Sequence, residues 1–287
     1  MALSKKINAS IQTLLPHHLL SRLMRLFTES TFEPWKNFAI KLIIKHYQVN
    51  MNEAINSDPT SYSHFNAFFT RTLKPGTRPI CRESHAIISP ADGAISQIGT
   101  IDNDQIIQAK GKNFSAKTLL GGDPATADIF KNGQFVTIYL SPKDYHRLHM
   151  PATGTLKEMI HIPGRLFSVN TATTEAVPDL FARNERVVTI YETESGPMAL
   201  ILVGAIFVSS IETVWHGVVT PPSSKTIRRW HYPDNPPILK FADEMGRFNM
   251  GSTIIVLFGQ DQMNWLTELK AGENIQLGQQ LGVAYEQ

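Results

Sequence analysis

Met250-Gly251-Ser252-Thr253 leads without a break into Ile254-Ile255-Val256-Leu257-Phe258. An apolar run of this length, rich in β-branched residues and opened by a Gly-Ser step, reads as a buried strand. Gly251-Ser252 itself is open to two readings. Either Gly251 is a tight turn and Ser252 merely begins the strand, or Ser252 is a reactive serine held by a strained Gly bond at the mouth of a β core. The local sequence does not separate them.

The same texture extends back through the chain. Ala86-Ile87-Ile88, Gly93-Ala94-Ile95, Phe135–Leu140, Val187–Tyr191, Ala199–Val203 and Ala205-Ile206-Phe207-Val208 are short apolar runs broken by Gly, Pro, Asn and Asp. Many short strands at this spacing predict a mainly antiparallel β core. A helix is expected near Ala116–Leu120, and residues 76–287 read as one domain. Residues 1–75 have a different period. Ile7, Ile11, Leu14 and Leu15 recur at helical spacing up to Pro16. Leu19, Leu20, Leu23, Met24 and Phe27 form a second stripe. Trp35, Phe38, Ala39, Leu42 and Ile43 form a third, with Lys36, Lys41 and Lys45 elsewhere. The fold class is therefore α+β, a β core behind an N-terminal amphipathic helical region. That region is either an ordinary subdomain or a set of helices lying in a membrane interface.

Composition narrows the options. Of 287 residues, 42% are hydrophobic and 18% charged, as in a globular chain with a real core. The net charge is only +2 but uneven: residues 1–50 carry seven Lys/Arg against Glu29 and Glu33. A basic arm on a mildly acidic body points to an anionic surface. It lacks the dense Lys/Arg and aromatic pattern of nucleic-acid binders, so no nucleic-acid partner is expected. Cys81 is the only cysteine, which excludes an intrachain disulfide and a CxxC zinc site and fits a reducing compartment. Lys5, Lys6, Pro16, His17 and His18 interrupt any signal-peptide core. The longest uncharged stretch, Ser195–Ile211, holds Gly196-Pro197 and Gly204 and reads as paired strands, so no transmembrane helix is expected.

Three places concentrate reactive groups. Ser89-Pro90-Ala91-Asp92-Gly93 puts an Asp-Gly turn after a strand. Tyr145-His146-Arg147-Leu148-His149-Met150-Pro151 sets two His within four residues of a loop. Gly251-Ser252-Thr253 is the third. Together they supply Asp92, a His and Ser252, the types that activate a hydroxyl: an imidazole takes its proton and a carboxylate holds the imidazole. No Asp/Glu/His cluster completes a metal shell around His146 and His149. Neither GxGxxG nor GxxxxGK[ST] is present.

With these loops side by side, the chain resembles the bacterial, membrane-associated phosphatidylserine decarboxylases. Ser63–Arg71, Pro90-Ala91-Asp92-Gly93, Tyr145–Pro151, Pro163–Asn170, Leu180–Arg186, Val203-Gly204-Ala205, Glu212–Trp215 and Glu244–Phe248 through Gly251-Ser252-Thr253 carry the match. It departs from the family pattern at Met250, where Leu is common, and at Lys240–Glu244, which lacks a Gly often found there. The resemblance implies a proenzyme that cuts itself between Gly251 and Ser252 into a long chain, 1–251, and a short chain of 36 residues, 252–287. It implies a relay of Asp92, His149 and Ser252, and conversion of Ser252 to a covalent pyruvoyl group, the sole cofactor. The ketone then forms a Schiff base with the amine of phosphatidylserine and acts as an electron sink while CO2 leaves. His146, near His149 on one loop, is the candidate general acid. Phe167 and Asn170 are expected to line the substrate pocket. The resemblance also implies peripheral attachment to the cytoplasmic side of the cell membrane, phosphatidylserine in an anionic membrane as partner, and a homodimer of processed pairs. A Ser-His-Asp lipid hydrolase, which leaves the chain intact, and a non-catalytic membrane-binding β domain are the competing readings.

Overall fold

The computed structural model describes residues 12, 15–109, 111–206, 210–221, 224–249 and 252–286. Helices come first. Helix α1 spans His17–Thr28 and starts at Pro16, whose φ of −78° suits a helix entry. Helix α2 spans Glu33–Tyr47, with Pro34 in its first turn and Glu33 and Lys45 placed favourably for the helix dipole. Gln48, in the left-handed region at φ 57°, ends it. After a 3-10 turn at Met51–Glu53 comes α3, Phe65–Phe69. Between α2 and α3 the chain is otherwise irregular. Of the first expected stripe, Ile7, Ile11 and Leu14 lie outside the described residues, and Leu15 is a bend ahead of α1.

Strands follow: β1 Ala86–Ile88, β2 Gly93–Thr100, β3 Gln105–Ala109, β4 Lys112–Ser115, β5 Gln134–Leu140, β6 Arg147–His149 and β7 Gly154–Ile162. Then come β8 Arg186–Thr193, β9 Gly196–Val203, β10 Ser210–Thr213, β11 Gly217–Thr220, β12 Arg228–His231 and β13 Ile238–Leu239. The chain ends with β14 Glu244–Asn249, β15 Ser252–Phe258, β16 Met263–Trp265, β17 Asn274–Ile275 and β18 Gln280–Ala284. Short helices intervene: α4 Ala116–Leu119, as expected, α5 Pro124–Asp128, α6 Thr171–Ala176 and α7 Leu180–Arg183.

A nine-stranded sheet in the order β12-β7-β8-β9-β15-β5-β2-β17, with β13 also on β7, carries the core, and its ladders are antiparallel. Strand β15 is central, and all seven of its residues are buried. Its side chains alternate between two cores. Ile254 and Val256 join Ile138, Leu140, Leu200 and Leu202 on one face, while Ile255 and Leu257 join Phe135, Ile201 and Val203 on the other. A strand covered on both faces needs apolar residues at every position, which is why the run is unbroken. A second sheet, β11-β10-β14-β6, lies beside the first and feeds β14 towards β15.

One expected strand is corrected. Ala205 and Ile206 leave the ladder as loop and turn, while Phe207 and Val208 lie outside the described residues. At Gly204 the N–H goes to Glu185 O (2.9 Å) and the carbonyl accepts from Asn184 Nδ2 (2.8 Å), so β9 ends there despite the apolar sequence.

The helical region has its own small core of Ile40, Val49, Tyr62, Phe65, Phe68 and Phe69. Its remaining apolar stripe faces outward. Leu19, Leu23, Leu26 and Phe27 of α1 and Trp35, Phe38 and Leu42 of α2 are exposed, whereas Lys36 is buried. Lys36 Nζ donates inward to the carbonyls of Thr60 (2.7 Å) and Tyr62 (2.8 Å). The aromatic rings join across the two helices, Phe27 to Trp35 at 5.6 Å and Trp35 to Phe38 at 6.3 Å. Among the described residues no helix is long and apolar enough to cross a membrane.

Candidate active site

The register of the large sheet brings the three reactive segments to one end. Strand β5 lies between β2 and β15, with Ala94 opposite Tyr139 on one side and Ser252 opposite Leu140 on the other. Strands sit about 4.8 Å apart, so the entry to β2 and the first residue of β15 are roughly 10 Å apart. The chain leaving β5 at Ser141 passes between them. Gly93 permits the close approach: a Cβ there would collide with the Tyr139 carbonyl oxygen and lie 2.9 Å from Ile138 Cγ2.

A tight turn sends the chain back. Asp144 N–H bonds Ser141 O (2.9 Å), and the Asp144 carboxylate accepts from Ser141 N–H (2.7 Å) and Oγ (2.8 Å). Burial pushes the Asp144 carboxyl above the usual range against these bonds. Beyond the turn, β6 is sewn on both sides. His149 N–H donates to Pro90 O (2.9 Å), beside Asp92, and β6 pairs with β14 from Glu244 opposite His149 to Arg247 opposite Arg147. Phe248 N–H donates to His146 O (3.1 Å), so the strand end leading to Ser252 rests on the histidine loop.

Ser252 is fully buried, and its Oγ has no hydrogen-bond partner among the described residues. An unpaired buried hydroxyl is costly, and the neighbouring Thr253 and Thr137 hydroxyls are unpaired among the described residues as well. Gly251 and Met250 lie outside the described residues.

The two imidazoles share a tautomer. A carbonyl only accepts, so His149 Nδ1–H donates to Ala242 O (2.8 Å) and His146 Nδ1–H donates to Asp144 O (2.8 Å). Each Nε2 therefore carries the lone pair. At His149 it faces the Tyr145 hydroxyl at 3.4 Å, and at His146 it has no partner among the described residues. Burial lowers both pKa values, that of His146 to about 3, because the ring is fully enclosed and lies against the tilted Phe69 ring, 4.1 Å between centroids. Both rings are thus neutral bases at neutral pH. Burial also pushes the Tyr145 hydroxyl up to about 12, so it stays a donor.

Asp92 lies beside His149 in the backbone but is not bonded to it. Its carboxylate accepts from Arg78 Nη2 (2.6 Å) and Nε (2.8 Å to Oδ1) and from Leu277 N–H (2.9 Å). Arg78, which no periodicity marked, also reaches Glu53 (2.9 Å). Phe167 is fully buried against His17 and beneath the Arg183 guanidinium (4.9 Å), and Asn170 caps α6 by accepting from Thr173 N–H (3.0 Å). A polar cavity of about 340 Å³ lies between α1 and the site, lined among others by Arg25, His64, Arg147, Arg247 and Asn249.

A β core with a buried, unpaired serine at a strand mouth and two neutral imidazoles on the loop that leaves the neighbouring strand is the framework of an enzyme, and its relatives specify which. The family model described as phosphatidylserine decarboxylase matches residues 65–283, and a second, described as PSD, matches residues 7–48. A protein of Pseudomonas fluorescens named phosphatidylserine decarboxylase proenzyme is 56% identical over 98% of both chains. Proteins of the same name from Pseudomonas putida and Methylococcus capsulatus are 57% and 55% identical, the first over 94% of this chain and 95% of its own, the second over 98% of both. The chain belongs to the phosphatidylserine decarboxylase family.

Proposed function

We propose that this chain converts phosphatidylserine to phosphatidylethanolamine and CO2 at a membrane surface, after cutting itself between Gly251 and Ser252. The observation that carries the reading is the Ser252 hydroxyl, buried without a partner at the first residue of the central strand. A hydroxyl destined to attack its own peptide bond needs no other partner, and a pyruvoyl group made from it would inherit the same enclosed position. That group supplies an electron sink for the carbanion left by CO2.

The remaining chemistry falls to side chains. His149 Nε2, its lone pair fixed by the Nδ1 bond to Ala242, takes the Ser252 Oγ proton. The oxygen attacks the Gly251 carbonyl carbon, the C–N bond breaks, and the proton passes to the departing nitrogen. The resulting ester is lost by elimination: a base takes the Ser252 Cα proton and the Cβ–O bond breaks, freeing the Gly251 carboxylate. Water then replaces the nitrogen, which leaves as ammonia. Asp92 is assigned to the same relay, which forms when the Arg78 fork opens and the freed carboxylate replaces the Ala242 carbonyl at His149 Nδ1–H, holding the same tautomer. In turnover, His146 is the candidate general acid that delivers a proton to the carbon that lost CO2.

Two parts share the work. Residues 1–75 attach to the bilayer through the exposed apolar face of α1 and α2, with cations at the headgroups, and residues 76–287 catalyse. The test is turnover of phosphatidylserine in mixed vesicles by the purified protein and by its Ser252→Ala variant. Phosphatidylethanolamine from the first and none from the second is expected; equal activity in both would overturn the reading.

A further inference from the structure

Arg71 directly follows the short helix α3 and Thr70, and it is only 5% exposed. Its Nη2 donates to Lys143 O at 2.8 Å, and its guanidinium lies 5.5 Å from the Phe68 ring centre. Nε and Nη1 have no hydrogen-bond partner among the described residues. The nearest acids, Asp92, Glu53 and Asp144, favour its charge only from a distance, and burial lowers its pKa. A buried cation with two idle donors is costly, and a second charge within the same pocket relieves that cost.

The pocket's neighbours belong to the segments that flank Ser252. Lys143 lies three residues beyond Leu140, the partner of Ser252. From the other side Asn66 of α3 donates to Asn249 Oδ1 at 2.8 Å, and Gly251 is two residues further along. A two-residue tether reaches about 7 Å.

We propose that Arg71 receives a carboxylate at this site through Nε and Nη1. The inference rests on the self-cleaving reading above. Two carboxylates qualify. Cleavage takes the electron pair of the Ser252 Cβ–O bond onto oxygen, so the chain gains one anion, the Gly251 terminus, where the precursor holds an unpaired cation. The serine headgroup brings the other. The first fits better, because a guanidinium clamped on the departing headgroup carboxylate stabilises the substrate against its own reaction.

Arg71→Gln and Arg71→Lys, each in the wild-type chain and in the unprocessed Ser252→Ala background, decide between them by thermal unfolding and lipid kinetics. If the terminus is the ligand, Arg71→Gln leaves Tm unchanged or raised in the unprocessed chain and lowers it by about 3–6 °C in the processed one. Arg71→Lys then restores most of that loss. If the headgroup is the ligand, Tm shifts equally in both backgrounds while KM for phosphatidylserine rises tenfold or more. Equal Tm shifts with unchanged KM overturn the proposal, as does failure of both variants to process. A single full-length mass for the wild-type chain is a failure of the self-cleaving reading instead, visible before any Arg71 variant is made.

Discussion

Arg78 clasps Asp92 through both of its carboxylate oxygens, Nη2 to Oδ2 at 2.6 Å and Nε to Oδ1 at 2.8 Å. The pair is nearly buried, with side-chain exposures of 11% and 6%, and Asp92 is the carboxylate assigned to the cleavage relay. Removing Arg78 strands the Asp92 carboxylate and is expected to cost about 3 kcal/mol of stability, whereas removing Asp92 leaves Arg78 paired with Glu53 and costs less. The two substitutions part in chemistry. Asp92→Asn slows self-cleavage by about 10²-fold, whereas Arg78→Met keeps the carboxylate and still cleaves. Equal cleavage rates, followed by the appearance of the short chain on gels, would reduce Asp92 to a structural clasp.

His146 makes the unprocessed fold sensitive to acid. Its folded pKa of about 3 lies below the ordinary value of 6.5, so between those limits the unfolded chain binds the extra proton. Stability is therefore full above pH 6.5 and falls as pH drops towards 3, by about 1.4 kcal/mol per pH unit from this site. Urea titrations of Ser252→Ala against Ser252→Ala/His146→Gln at several pH values isolate the slope. Identical slopes would mean that His146 is solvated. In the wild-type background, His146→Ala is expected to permit cleavage and abolish decarboxylation.

The outward apolar face gives a separable prediction. Phe38 and Leu42 are 59% and 52% exposed, so replacing both by Ser leaves Tm unchanged. Binding to anionic vesicles falls by about tenfold per residue, from the lost apolar burial in lipid. Undiminished sedimentation with vesicles would show that this face is not the docking surface.

Gly93→Ala tests the packing that aligns the site. The added methyl meets the Tyr139 carbonyl oxygen and Ile138 Cγ2, backbone and core with little room to give. Strand β2 must move from β5 and carry Asp92 with it, so both Tm and cleavage rate drop. A variant that cleaves normally would mean the alignment tolerates such a shift.

Much of this was legible because burial writes directly into composition. Ile254–Phe258 reads as a buried strand since both faces are covered, and Phe135–Leu140, its neighbour, reads the same way for the same reason. Ala205-Ile206 has the same apolar look, yet Asn184 and Glu185 take the Gly204 backbone groups and end the ladder, a long-range contact that no local pattern encodes. Helical period located the stripes of α1 and α2 but not the side they face; the inward bonds of Lys36 decide that. At the site, residue types singled out Asp92, His146, His149 and Ser252. Arg78 carried no such mark, and Arg71 only its place in the matched Ser63–Arg71 stretch, because their contacts come from neighbours far along the chain.

Self-cleavage breaks a single bond, Gly251–Ser252, and the intact mass of the purified wild-type protein reports on it directly. Two chains are predicted, residues 1–251 and a fragment of residues 252–287 whose first residue carries a ketone in place of the amine. One mass for all 287 residues, with an ordinary serine at 252, would contradict it.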